Sequence, residues 1–121
     1  MNTVAASQGI PIFLNLLAAV LGAAGQYLYK IGGNHLGTVP IYRNWHLFAG
    51  MLLFCVVMVL FVWAFKLGGR LSVVYPVYAT TFVWGTLLAV GIDKEPFSGM
   101  QGLGVAAIVL GVSLIAWGAV K

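Results

Sequence analysis

The residues of the first apolar run that could do chemistry form a strip: Asn15, Ala19, Gly22, Gln26 and Lys30 recur at intervals of four, three, four and four. At about 100° per helical residue they fall within an arc of about 80°. The strip is small and amide-bearing and ends in a cation. Polar groups in hydrocarbon are costly and face protein or a water-filled cavity. One reading is therefore a path through a membrane, with Lys30 meeting an anion such as a phosphate. The other is packing: Ala and Gly let helices approach, Asn and Gln bond to neighbours, and Lys30 snorkels to the surface.

A second set lies in Val74-Tyr75-Pro76-Val77-Tyr78 and the following Ala79-Thr80-Thr81-Phe82-Val83-Trp84. Pro76 lacks an N–H, so a helix here either begins near Tyr75 or bends in its first turn. A bend would leave carbonyls free beside Arg70. Tyr75, Tyr78 and Phe82 would share one face, as pathway lining or as an aromatic belt. Trp84 lies at mid-depth, away from the interfaces that Trp favours, and is expected to face the bundle, where its N–H finds a partner.

Gly104, Ala107, Gly111 and Gly118 line one side of the last run, the glycines at intervals of seven. Small residues in register let helix backbones come close, and a subunit contact is the favoured use. Asp93-Lys94-Glu95-Pro96 reads as a solvated turn, in which Glu95 can pair with Lys94, Lys30 or Arg43; exposed pairs of that kind contribute about 0–1 kcal/mol. Cys55, Met51 and Met58 read as packing, and Tyr42, Trp45 and Trp63 as interfacial anchors. His35 and His46 stand eleven apart with no nearby carboxylate, which does not suggest a metal site. No nucleophile–base pair or phosphate-cradling loop appears, so neither an enzymatic reaction nor a cofactor is expected.

The elements that must position these residues follow from composition. Of 121 residues, 62% are hydrophobic and 7% charged, against about 45–50% and about 25% in soluble domains. That excludes disorder and argues against a soluble globule. One cysteine makes no internal disulfide, and six scattered Lys/Arg make no nucleic-acid stripe. Four stretches reach the roughly 20 residues a membrane helix needs: about 10–29, 45–65, 71–92 and 99–120. The expectation is one all-α integral membrane domain over 1–121, a four-helix bundle. Pro11 suits a first turn, Asn44 an N-cap, and Ser98-Gly99-Met100-Gln101 a capping box. Lys30–Asn44 and Lys66–Arg70 read as loops. The runs are too long and continuous for barrel strands, and the N-terminus lacks the basic region of a signal peptide. Lys66, Arg70 and Lys121 fall on the face holding the termini (side A), against Lys30, Arg43 and Lys94 on the other (side B). The positive-inside rule is thus tied, and setting aside Lys30, on the helix, tips it toward a cytoplasmic side A.

Ala24-Gly25-Gln26 with Lys30, then Tyr75-Pro76, Phe82-Val83-Trp84, Glu95-Pro96 and the run Gly104 to Val112 together carry a resemblance. In order and spacing the chain resembles the four-helix members of the drug/metabolite transporter superfamily over essentially its whole length. In particular it resembles the paired small subunits of the bacterial undecaprenyl-phosphate-aminoarabinose flippase. The resemblance implies a multi-pass inner-membrane protein, a homodimer or a heterodimer with a paralogous four-helix subunit, that helps carry a polyprenyl-phosphate-linked sugar between leaflets for lipid A modification. The chain is also similar to the small multidrug-resistance exporters, whose first helix carries a glutamate eight residues before a lysine. If that lysine is Lys30, the glutamate position is Gly22, so the group that exchanges protons for cations there is missing.

The expected roles follow. Lys66 and Arg70 draw the phosphate at side A, while the Asn15–Gly22–Gln26 strip with Tyr75 and Tyr78 lines a groove for the sugar, with Trp84 nearby. Lys30 and Arg43, with Glu95 beside them, receive the phosphate at side B while the tail stays in lipid. The competing readings are an exporter of cationic compounds and a non-transporting membrane scaffold.

Overall fold

A computed structural model describes residues 8–120, with side chains as far as Gly118. The described chain is all helical: α1 Gly9–Asn34, a 3-10 turn Ile41–Arg43, α2 Trp45–Lys66, α3 Leu71–Tyr78, α4 Thr81–Gly91 and α5 Gly99–Val120. They make four apolar rods, Gly9–Asn34, Trp45–Lys66, Leu71–Gly91 and Gly99–Gly118, each long enough to cross a bilayer.

The first rod continues helically through Lys30 to Asn34 instead of ending at Tyr29. Its last carbonyls find partners across the loop. Gly32 O accepts from the His35 N–H at 3.1 Å and from Asn44 Nδ2 at 2.8 Å. Asn44 stands at the N-cap position of α2, but its side chain makes no cap bond there; it satisfies the end of α1. The box before α5 forms reciprocally. Ser98 N–H donates to Gln101 Oε1 at 2.8 Å, and Gln101 N–H donates to Ser98 Oγ at 3.2 Å.

The third rod neither starts at Tyr75 nor bends in its first turn. Pro76 lies inside α3, and the irregularity comes at Ala79–Thr80. There the amides of Ala79, Thr80, Phe82 and Val83 bond three residues back, to Pro76, Val77, Ala79 and Thr80, at 2.8–3.1 Å. Thr80 Oγ1 adds a bond to Val77 O at 2.9 Å. A 3-10 step advances about 20° more per residue than an α step, so α4 is turned relative to α3. Tyr75, Tyr78 and Phe82 do not share a face: within α3 Tyr75 is 67% exposed whereas Tyr78 packs against the core, and Phe82, beyond the step, is exposed.

The core joins Leu14 and Ala18 of α1 to Val57, Leu60 and Ala64 of α2 and Val74 of α3, with Phe54, Phe61 and Tyr78 packed on it. The largest interface is α1 on α2. Its closest approach lies at Gly25 and Gly50, where an added Cβ would come within 2.9 Å of the Phe54 ring and 2.7 Å of the Tyr29 ring respectively. These two rings stack at 5.3 Å. Lipid tails are as apolar as Leu, so close packing rather than water exclusion holds such helices together. α5 is the least attached: it meets α3 and, more sparsely, α4, and an added Cβ at Gly104, Gly111 or Gly118 would meet nothing within 4 Å.

Candidate functional site

Residues at helical spacing on α1 (Ala23, Gln26, Tyr27 and Lys30) face Thr81, Phe82, Gly85, Thr86 and Ala89 of α4. They line two overlapping cavities, about 430 Å³ beside Gln26 and Thr81 and about 160 Å³ toward Lys30. Ala23, Gly85 and Ala89 keep the groove open, because small residues stand where larger ones would fill it. Gln26 is its exposed amide. Thr86 Oγ1 donates to Phe82 O at 2.7 Å and keeps its lone pairs.

At side B the groove ends in charge. Lys30 Nζ donates to Asp93 Oδ2 at 2.6 Å and to Glu95 Oε2. Tyr27 Oη donates to Asp93 Oδ1 at 2.8 Å. One ammonium thus serves two carboxylates. The turn after α4 brings them there: the Asp93 and Glu95 amides bond back to Leu88 O and Ala89 O, and Lys94 between them takes a left-handed φ of 55°. The Lys30 ammonium, and then the Tyr27 hydroxyl, hold the Asp93 carboxyl below its ordinary range against a smaller opposing cost of desolvation.

The other expected site residues are dispersed. Asn15, Ala19 and Gly22 are buried in packing. Asn15 Nδ2 donates to Pro11 O at 3.0 Å, while its Oδ1 has no partner. An added Cβ at Gly22 would run into the Tyr78 hydroxyl, and Tyr78 itself lies edge-on to Phe61 at 4.9 Å. The strip on α1 therefore divides, its lower half packing and its upper half facing the groove. Trp84, expected to face the bundle, is 36% exposed in the single chain. Arg43 lines a separate cavity of about 250 Å³ with His35, Asn44, Trp45 and His46. At the opposite end Lys66 borders a shallow cleft on the outside of α2, and Arg70 is exposed.

Three residues with roles here carried no such reading in the sequence: Asp93, Tyr27 and Gln8. Tyr27 stands three before Lys30 on the same helical face, and that spacing was the available signal. Asp93 read as turn solvent. Gln8 is fully buried; its Nε2 donates to Gly68 O at 2.8 Å and its Oε1 accepts from Arg70 N–H at 3.1 Å, fixing the turn that carries Lys66 and Arg70. A further apolar cleft of about 460 Å³ lies between α4 and α5, lined by Val83, Leu87, Phe97 and Val105 among others. It also touches Thr86, and so borders the groove.

The sequence is 30% identical over 106 residues to a Shigella flexneri serotype 5b (strain 8401) protein, covering 86% of this chain and 96% of that one. The relative is described as a probable 4-amino-4-deoxy-L-arabinose-phosphoundecaprenol flippase subunit ArnE. Proteins of the same description in Escherichia coli O157:H7 (strain EC4115 / EHEC) and Escherichia coli (strain 55989 / EAEC) match with the same identity and coverage. No protein-family model matches the chain, and no solved structure matches it.

Proposed function

This chain belongs to the family of ArnE flippase subunits, and we propose from that premise that it carries an aminoarabinose-type sugar on undecaprenyl phosphate between membrane leaflets. It is a multi-pass protein of the bacterial inner membrane. The observation that carries the reading is the groove between α1 and α4. Along the hydrocarbon it offers the Gln26 amide and the Thr81 and Thr86 hydroxyls, with no Asp or Glu, and it reaches charge at its side-B end. Neutral hydrogen-bonding groups suit a sugar in transit. A buried carboxylate there would repel its phosphate.

In this reading Lys66 and Arg70 attract the headgroup at side A, Tyr75 and Tyr78 border its entry, and Lys30 meets the phosphate at side B, the side on which Arg43 lines its separate cavity. The prenyl tail stays outside, with the apolar cleft between α4 and α5 as its resting place. The uncovered small-residue face Gly104, Ala107, Gly111 and Gly118 takes a second four-helix subunit, a homologous or identical one, which closes the groove from the far side.

Proteoliposomes test this. Protein, alone or with a paralogous four-helix subunit, is reconstituted with a polyprenyl-phosphate aminosugar, and arrival at the outer leaflet is read by a membrane-impermeant amine reagent. Protein-dependent labelling is expected. Gln26→Leu should slow it about tenfold, the equivalent of one lost hydrogen bond. Wild-type rates from the Lys30→Ala, Arg70→Ala double variant would overturn the assignment.

A further inference from the structure

The charged end of the groove has a composition that phosphate reception alone does not explain. A site for an anion would present unpaired cations, yet the ammonium of Lys30 is already engaged by Asp93 and Glu95. Two carboxylates to one ammonium leaves the cluster with one negative charge in excess. All three side chains, with the Tyr27 hydroxyl, line the cavity of about 160 Å³ that opens into the groove beside Gln26. Both signs of charge are thus presented to whatever occupies it.

The cargo named for the relatives carries the same two charges: an amine on the sugar and a phosphate joining it to the lipid. We infer that the Lys30–Asp93–Glu95 cluster is the headgroup selector of this protein, its internal ion pairs being exchanged for a zwitterionic ligand, so that Asp93 and Glu95 take the ammonium and Lys30 takes the phosphate. This rests on the flippase reading above and adds to it the feature of the cargo that is recognised. The exchange keeps every charge partnered: the two bonds from Lys30 to carboxylates give way to one from Lys30 to the phosphate and one from each carboxylate to the ammonium. A zwitterion leaves the net charge of the cluster unchanged, whereas an anion alone brings a further negative charge beside two carboxylates, a repulsion that salt screens. A lipid phosphate without the amine can take Lys30 only by stranding both carboxylates. Selectivity for the amine follows from that penalty.

The turn geometry supports the same role. Lys94 adopts its left-handed conformation between Asp93 and Glu95, and the backbone amides on either side are tied back to Leu88 and Ala89. The two carboxylates are thereby held on one side of the loop, facing Lys30, before any ligand arrives. Tyr27 fixes the second oxygen of Asp93, which leaves Glu95, half exposed and with Lys30 as its partner, as the first carboxylate to yield.

The experiment compares two lipids in the same proteoliposomes: a polyprenyl-phosphate aminosugar and its N-acetylated counterpart, which keeps the phosphate but has no cationic amine. Movement of both is followed by mass spectrometry of the extractable outer leaflet. Wild-type protein is expected to move the free-amine lipid at least about tenfold faster, a ratio that shrinks as salt is raised. In Asp93→Asn, Glu95→Gln protein the ratio should fall toward one, whatever the absolute rates. If the double variant does not fold, Glu95→Gln alone is measured for binding of short-chain versions of the two lipids in detergent, and should lose most of the preference. Equal rates for both lipids in wild-type protein would overturn the selector while leaving the flippase reading intact. So would a preference that survives both carboxylate substitutions. If wild-type protein moved neither lipid, the flippase reading would fall, and the selector with it.

Discussion

At the scale of single residues, the ion-pair cluster sets how the protein responds to pH. Asp93 titrates below its ordinary value of 3.8 because Lys30 and Tyr27 favour its charged form. A carboxyl whose folded-state value is lowered stabilises the fold above the ordinary value, and that contribution is lost only as pH falls through the lowered one. The cluster should therefore be unchanged between about pH 5 and about pH 8. A carboxyl carbon titration by NMR should place the Asp93 midpoint below the ordinary value in wild-type protein and nearer to it in Lys30→Ala. Gln8 makes a second residue-scale prediction. Its two bonds close the turn at Gly68 and Arg70 from a fully buried position. Gln8→Ala leaves that carbonyl and amide unpaired and should cost about 1–3 kcal/mol, read as a lowered unfolding midpoint in detergent.

At the scale of elements, the glycines that matter to packing within the chain lie at the α1–α2 crossing. Gly25 and Gly50 are stacked where Phe54 and Tyr29 leave no room for a methyl group. Gly50→Ala should destabilise the chain by about 1–3 kcal/mol through overpacking, measured by unfolding in mixed detergent. Gly111→Leu projects into open space and should leave that midpoint unchanged to within about 0.5 kcal/mol. The two substitutions separate contacts inside the chain from contacts beyond it. The capping box at Ser98 and Gln101 was readable from its spacing, because it is satisfied within four residues. Asn44 had the right residue type for a cap, but a neighbouring helix end competed for its side chain. The 3-10 step at Ala79–Thr80 was not readable either: Pro76 is where a break was expected, yet α3 absorbs it and the irregularity falls one turn later.

At the scale of the whole molecule, three rods share a core and the fourth is docked on it loosely. The groove between α1 and α4, with α5 standing aside, is open on one side, which the proposed second subunit would close. Cross-linking in membranes should capture a two-subunit species through cysteines placed near Gly111. Gly111→Leu should reduce its yield several-fold without altering the monomer's stability.

Composition and run length alone determined that this is a four-helix membrane protein, because a hydrocarbon slab of fixed thickness admits few answers for a chain so apolar. They also placed Gln26 and Lys30 on one helical face, since that periodicity is local. Only the tertiary structure decided that Asn15 and Gly22 serve packing while Gln26 and Lys30 face the groove, and that Lys30 is shared by Asp93 and Glu95 some sixty residues away. Those outcomes depend on which helix lies alongside which and on the rotation of α4 after its tightened turn. Contacts between distant segments are set by such packing geometry, which the residue pattern of one helix does not encode.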